Sequence, residues 1–594
     1  MKNEHNIIAA TILSAIVLLG WSWFYEKPKA ERIAKQKTFI QSQNSQANGD
    51  SALSSVSSDK NLKNIDSTIS SSLPSLANTQ NNLLIQDRKE QIAKTAQDRV
   101  LIDNGTVKGS IYLKGARFDD LTLSQHFTDL TKKDPVVLFA PNNSRERYFV
   151  DFGWVANQHE GQNIDMPNSE TLWVANRKKL EINSPVTLSW KNRQNIEFII
   201  KVEIDKDYLI SLTQQINNNS DKAIRVASYG RINRALGKVD KSNYILHEGP
   251  IVELDGRITE TSYEKLVKIK KQAFQNSVEK EKSNIWLGFS DKYWLSAIVP
   301  AGKTSYQIDF KQQDLNNLKN FVVQFLSDEF IVDAKSSNIF QQHLFAGAKN
   351  VKLLDYYAKK LSLKLFDRAI DFGWFYFLTK PFFFVVDFLY EILKNFGLAI
   401  LVMTILVKLT LFPMANKSFA AIAKMKKLQP KIGKLREQYG SDKIQLNKEL
   451  MELYKREKVN PAAGCLPIII QIPVFFALYK VLFVTLDMRH APFYGWIKDL
   501  SVSDPTSIFN LFGLLPFPAF INIGIWPILM GVTMIIQQKL NPTTTDPIQA
   551  KIFKLMPYVL TVVLANFPAG LVIYWTWSNI LSILQQWLIV KKHR

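Results

Sequence analysis

The chain has 594 residues, a formal net charge of +21, 46% hydrophobic and 21% charged residues, and a single cysteine. At about 100–200 residues per domain this length suggests several units, and the apolar content excludes wholesale disorder. One cysteine excludes a disulfide framework and a cysteine-based zinc or iron–sulfur site, while the excess of positive charge points to an anionic partner, nucleic acid or a membrane surface.

Asn6 to Tyr25 is nearly uncharged and long enough to span about 30 Å of hydrocarbon. It closes in Gly20-Trp21-Ser22-Trp23-Phe24-Tyr25, an aromatic belt rather than a small-residue cleavage site, so residues 1–27 read as an uncleaved transmembrane anchor. Residues 28–98 are rich in Ser, Asn and Gln, with no aromatic between Phe39 and Tyr112. Such a segment lacks the apolar surface to offset its ordering entropy and reads as a disordered tether, with a reach of roughly 45 Å.

Residues 99–335 carry short alternating runs: Ser110–Leu113, Val136–Phe139, Ile196–Val202 and Tyr306–Phe310. Turn residues such as Asn217-Asn218-Asn219 and Asp255-Gly256 separate them, and the pattern predicts an antiparallel β-sandwich. Residues 336–371 follow as a helical connector, with Leu344, Val351, Leu354, Tyr357, Leu361 and Leu365 at helical spacing from Asn338 onward. Ala297 to Thr304 fits a relaxed P-loop pattern, but β-like residues follow where a phosphate-cradling helix is required. His126, His159 and His247 have no ligand spacing, and no metal, cofactor or catalytic residue is assigned.

Residues 372–394 set aromatics beside Lys380, Asp387 and Glu391 and read as an interfacial amphipathic helix. Spans are then predicted at 395–414, 464–486, 523–540, 556–567 and 570–590; with the anchor this makes six. The fifth, 556–567, covers only about 18 Å as a helix, which implies a thinned bilayer or a hairpin that stops short. The cytoplasmic segment 415–461 holds twelve Lys/Arg against five Asp/Glu, whereas the loop 487–522 holds Arg489 and Lys498 against Asp487, Asp499 and Asp504. Lys551, Lys554 and the tail 591–594 are also basic, so the positive-inside rule places 415–461, 541–555 and both termini in the cytoplasm and exports the sandwich. The apolar insert 508–521 receives no function.

Lys408 lies inside an otherwise apolar span, where a central lysine costs roughly 2.5–3.5 kcal/mol. Two readings are open. Its stem snorkels to the cytoplasmic interface, or its charge faces a wet groove whose lining includes Thr404, one helical turn away, with Gln471 and Tyr574 from other spans. Segment 415–461 reads as a helical hairpin with Phe419, Ile422, Met425, Ile432 and Leu435 on one arm and Leu446, Leu450, Leu453 and Tyr454 on the other. Its basic face, including Lys424, Lys426, Lys427, Lys431, Lys434 and Arg436, suits ribosomal RNA, anionic lipid or an acidic protein, or is simply solvated.

Several ordered stretches carry a family resemblance: Lys424–Ile432, Asn460-Pro461 with Gly464–Pro473, Phe476–Tyr479, Asn541–Thr544, Phe567–Leu571, and upstream Glu248-Gly249-Pro250 and Trp286–Trp294. The chain closely resembles the YidC membrane protein insertase family in its long Gram-negative form. The resemblance implies a periplasmic β-supersandwich beside a membrane α-helical bundle, whose five-helix core encloses a groove open to cytoplasm and lipid. It implies an inner-membrane insertase acting alone or with the Sec translocon on nascent membrane proteins. Ribosomes, signal-recognition targeting components and membrane lipids are the implied partners, and DNA is not. The family's groove arginine falls on Lys408, which keeps the charge but loses the planar fork. The groove threonine matches Thr404, the third-span glutamine matches Gln471, and the tyrosine pair of the last span is Tyr574-Trp575. The tail ends at Arg594 without a long basic extension, so docking is expected to rest on 415–461 and 541–555. Two rival readings are a secondary transporter using Lys408 as counter-ion and a membrane-anchored, carbohydrate-active periplasmic protein; the spans show no inverted repeat to favour the first.

Overall fold

The structure is a computed structural model and describes residues 87–156, 164–237, 246–275, 284–302, 304–315, 318–439, 442–457, 459, 466–507, 523–540 and 547–592. The expected anchor, most of the tether, His159 and the insert 508–521 lie outside the described residues.

The tether ends earlier than the sequence predicts. Helix α1, Arg88–Lys94, starts on Asp87, whose carboxylate accepts from the Lys89 amide, and it buries Gln91. The charged surface of α1 disguises this; Arg88 pairs with Asp120 of the sheet beneath. Beyond it the strands fold into two packed sheets, one of 11 strands and one of 9. The alternation of Ile196–Ile204 shows why. Ile196, Phe198, Ile200 and Val202 point inward while Glu197, Lys201 and Glu203 point out. In the larger sheet Tyr148–Ala156, Ile224–Leu236, Leu318–Ser327 and Tyr306–Leu315 are antiparallel neighbours. Among the described strands one pairing departs from the antiparallel expectation, because Arg99–Asp103 runs parallel to Lys179–Leu180. Asp255 and Gly256 both take positive φ, 52° and 77°, and close the hairpin of Gly249–Leu254 on Arg257–Glu260. The relaxed P-loop pattern begins on strand Trp294–Ala301, its Lys303 lies outside the described residues, and strand Tyr306–Leu315 follows where a helix would be needed to hold a phosphate. A short helix, α2, Tyr263–Ile269, packs at the sheet edge.

The connector also needs correction. Ser336–Ala348 is a long strand paired on both sides, and only Val351–Lys360 (α3) is helical, capped by Asn350. Leu344 therefore belongs to the sandwich, and Leu365 sits in a left-handed turn, φ 54°, before the single turn Phe366–Ala369. Leu344 and Val351 lie seven residues apart, a spacing that fits a helix face but does not require one.

The helical half then runs α4 (Tyr376–Leu393), α5 (Phe396–Thr410), α6 (Phe412–Tyr439), α7 (Lys443–Arg456), α8 (Leu466–Val484), α9 (Ile525–Leu540), α10 (Pro547–Leu564) and α11 (Ala569–Lys592). Helix α4 buries Thr379, Phe383 and Val386 while exposing Phe377, Phe384, Phe388 and Ile392. Among the described residues no single helix is long and apolar enough to cross a membrane; α5 and α6 meet that test only together, bent by 69°. Helix α10 starts at Pro547 rather than in the middle of the 550s, so the arm expected to be short is an 18-residue helix. Proline at the first helical position needs no amide partner, and Lys551 and Lys554 continue the helix as its basic end.

One apolar core runs from the sandwich through Val351–Phe372 into α4, α5, α8 and α11. A polar joint reinforces it. Asp371 accepts from the amides of His247 and Gly373, at 3.2 and 3.0 Å, and from Lys480 Nζ of α8 at 2.9 Å. Beside it Lys349 is 1% exposed and donates to Ser290 Oγ and the Ala369 carbonyl, at 3.1 and 3.0 Å. Burial pulls the Lys349 ammonium down from 10.5 to about 8, against the opposing pull of Asp291, Asp371, Glu248 and Glu260. Glu260 is pushed up to about 7, first by burial and then by Asp371, and burial holds His247 at about 4.

These shifts set the sign of a pH effect. Between about 8 and 10.5 the unfolded chain binds the Lys349 proton more readily than the folded one, so stability rises with pH across that window, by roughly 3 kcal/mol. Glu260 and His247 titrate below it and oppose each other. Lys349→Met should flatten the alkaline rise in the unfolding temperature of the purified protein; an unchanged profile between pH 8 and 10 refutes the assignment.

Candidate functional site

The site forms where α5, α8 and α11 meet. Asn395 caps α5 by accepting from the Leu398 amide, and the helix buries Ala399, Ile400, Met403 and Thr404 while exposing Leu406 and Leu409. Lys408, two residues before the end of α5, is half-buried and turns inward rather than out to the interface. Its Nζ donates to Ser582 Oγ of α11 at 2.8 Å and, more weakly, to Gln471 Oε1 of α8 at 3.4 Å. Gln471 in turn donates through Nε2 to the hydroxyl of Tyr574, which is 1% exposed. Among the described residues Lys408 has no carboxylate partner, and no group of acidic, histidine or cysteine side chains is arranged to hold a metal ion.

The sequence-derived lining is only partly assembled. Lys408, Gln471 and Tyr574 form one chain of hydrogen bonds. Thr404 does not join it. Its hydroxyl donates to the Ile400 carbonyl one turn back, at 2.7 Å, and the side chain is buried in the helix packing. Trp575 packs edge-on against Phe475 of α8, ring centroids 4.6 Å apart, and supplies a wall rather than a polar group. Ser582, which sequence reasoning missed, is the nearest partner of the charge. Its signal is the four-residue spacing of Tyr574, Ser578, Ser582 and Gln586, all buried on one face of α11.

Contacts on both sides brace α11 around that seam. Asn579 donates to Thr533 Oγ1 of α9 at 3.1 Å, and Gln585 donates to Asn416 Oδ1 at the start of α6, at 2.9 Å. The helical hairpin continues from there. Leu428 and Ile432 of α6 pack on Leu450, Leu453 and Tyr454 of α7, with Met425, Leu435 and Leu446 at the margin. Asp442 starts α7 by accepting from the Ile444 and Gln445 amides. Lys424, Lys426, Lys427 and Lys434 are exposed on α6 and Arg436 is half-buried. Lys431 pairs with Glu457 across the hairpin at 2.7 Å.

Comparison with known proteins finds relatives along the whole chain. A family profile described as 60Kd inner membrane protein matches residues 388–594, and one described as YidC periplasmic domain matches 99–385. The chain is 44% identical over 593 residues to the membrane protein insertase YidC of Rickettsia bellii (strain OSU 85-389), and 43% identical to that of Rickettsia conorii (strain ATCC VR-613 / Malish 7), covering 99% of both chains in each case. Among solved structures, the crystal structure of an active YidC insertase with its first transmembrane domain resolved aligns over 82% of this chain and 92% of its own, at 15% identity and a TM-score of 0.35. A galactose mutarotase related enzyme from Lactobacillus acidophilus covers 42% of this chain and 97% of its own, at 10% identity and a TM-score of 0.30. Neither structural likeness is close enough to carry an argument.

Proposed function

The chain belongs to the YidC family of membrane protein insertases, inner-membrane proteins with a periplasmic domain, and from that premise we propose how its helical half inserts nascent membrane proteins. The six spans are residues 6–25 with α5, α8, α9, α10 and α11, both termini facing the cytoplasm and the sandwich facing the periplasm. The charge asymmetry supports this topology, since 415–461 is strongly basic and 487–522 is not. Helices α5 and α9, of 15 and 16 residues, are shorter than the roughly 20 that span a normal bilayer, which favours a thinned membrane around the core.

One observation carries the mechanism: the Lys408 ammonium is held inward by Ser582 and Gln471 without a neutralising carboxylate among the described residues. It attracts acidic residues in the short translocated tail of a substrate, while the thinned membrane shortens the dry path. Transfer of the apolar segment into lipid then drives release, at about 25 cal/mol per Å² buried, with no nucleotide and no covalent step. The exposed lysines of α6 dock the ribosome and its targeting components, and the sandwich provides a surface for the Sec translocon. The transporter and carbohydrate readings gain no support, because the relatives matched along their whole length are named insertases.

Replacing Lys408 with Arg, Ala and Glu tests the electrostatic step in an insertion assay with a small phage-coat-type substrate carrying an acidic tail. Arg is expected to insert nearly as well as Lys, and Ala and Glu about tenfold less; equal insertion by all variants refutes the role. Reversing Lys424, Lys426 and Lys434 to Glu together should weaken ribosome co-sedimentation at low salt, with the difference closing as salt rises. Lys431→Glu alone should do less, because its charge is already paired with Glu457. Unchanged co-sedimentation of the triple variant removes the hairpin as the docking surface.

A further inference from the structure

We propose that Ser582 is a positioning residue for insertion: its hydroxyl holds the Lys408 ammonium inward, so that the charge faces the incoming tail instead of the cytoplasmic interface. The inference rests on the charge-attraction reading above and assigns the group that makes it work.

A lysine two residues from a helix end has a flexible four-carbon stem and a ready escape to water. Something must restrain it. Gln471 is a poor restraint by itself, because its carbonyl lies 3.4 Å from Nζ and its amide is engaged with Tyr574. Ser582 lies at 2.8 Å and is 6% exposed, so its hydroxyl is the shorter and drier acceptor. The serine cannot drift, because Asn579 three residues before it is tied to Thr533 of α9 and Gln585 three residues after it is tied to Asn416 of α6. The requirement is specific to lysine. A planar guanidinium reaches several acceptors at once, whereas an ammonium has three donors at one point. Two of those donors meet Ser582 and Gln471, and the third remains for a substrate carboxylate.

The test uses the full chain in proteoliposomes and two versions of one single-span substrate, differing only in an acidic or neutral translocated tail. Ser582→Ala should lower the acidic-to-neutral insertion ratio about tenfold, and Ser582→Thr, which keeps the hydroxyl, should restore it. If both substrates fall together while the ratio stands, the hydroxyl serves only packing and the proposal is wrong. Lys408→Ala run in parallel separates the two claims. A ratio lost in Lys408→Ala but kept in Ser582→Ala overturns the role of the serine alone; a ratio kept in both overturns the charge reading and the serine with it. Equal membrane levels of all variants are checked by quantitative blotting.

Discussion

The Lys408 ammonium, set where α5, α8 and α11 meet, is the constraint on which the polar seam of the helical half depends. Lys408, two residues from the end of α5, is half-buried, and no carboxylate among the described residues pairs with it. The surrounding polar groups divide accordingly. Thr404, Thr485, Thr561 and Thr576 each donate to the carbonyl one turn back, which closes their hydroxyls against their own helices. A short line of other polar groups, Ser582 and Gln471 with Tyr574 behind, runs to Lys408 instead. The hydroxyls named here thus divide between those turned back on their own helix and the one, on Ser582, that meets the cation of a neighbouring helix.

The periplasmic sandwich contributes to the same end through register. Asp371 gathers two loop amides and Lys480, and Lys480 stands on the same helix as Gln471. A second clamp, Lys380 to Asp355 and Asp367, fixes α4 against the exit from the sandwich. With the continuous apolar core beneath them, these pairs hold α8 at a set height, which determines where the Gln471 carbonyl meets Lys408. An ion pair of this kind adds little stability when exposed. Half-buried and hydrogen-bonded on all sides, it specifies geometry.

Sequence pattern revealed much of this and missed the rest for identifiable reasons. Period-two strands such as Ile196–Ile204 declare themselves because one face is buried and one is wet. Ser336–Ala348 does not, since from Gln342 onward it is buried on both faces or nearly so, and its apolar residues then imitate a helix stripe. The charges of Lys551 and Lys554 suggested a loop where α10 is already helical, although Pro547 marked the start. Lys408 was conspicuous as a lone charge. Spacing sets Thr404 four residues before Lys408 on one helix, but spacing cannot tell whether a hydroxyl faces a neighbour or its own backbone. Ser582 is legible only as one member of the spacing Tyr574, Ser578, Ser582 and Gln586, and which of these meets the charge is set by the relative rotation of three helices.

That rotation links the two functional regions. Helix α5 ends at Thr410, two residues beyond Lys408, and the chain bends by 69° into α6, whose far part forms the basic hairpin. Asn416, just past the bend, bonds to Gln585, one turn along α11 from Ser582. Gln585, which bonds the base of the hairpin, and Ser582, which bonds Lys408, thus lie one turn apart on one helix, itself pinned to α9 through Asn579. A hydrogen bond near 2.9 Å tolerates little sliding. The start of α6 and the stretch of α11 that carries Ser582 are therefore held in register with each other.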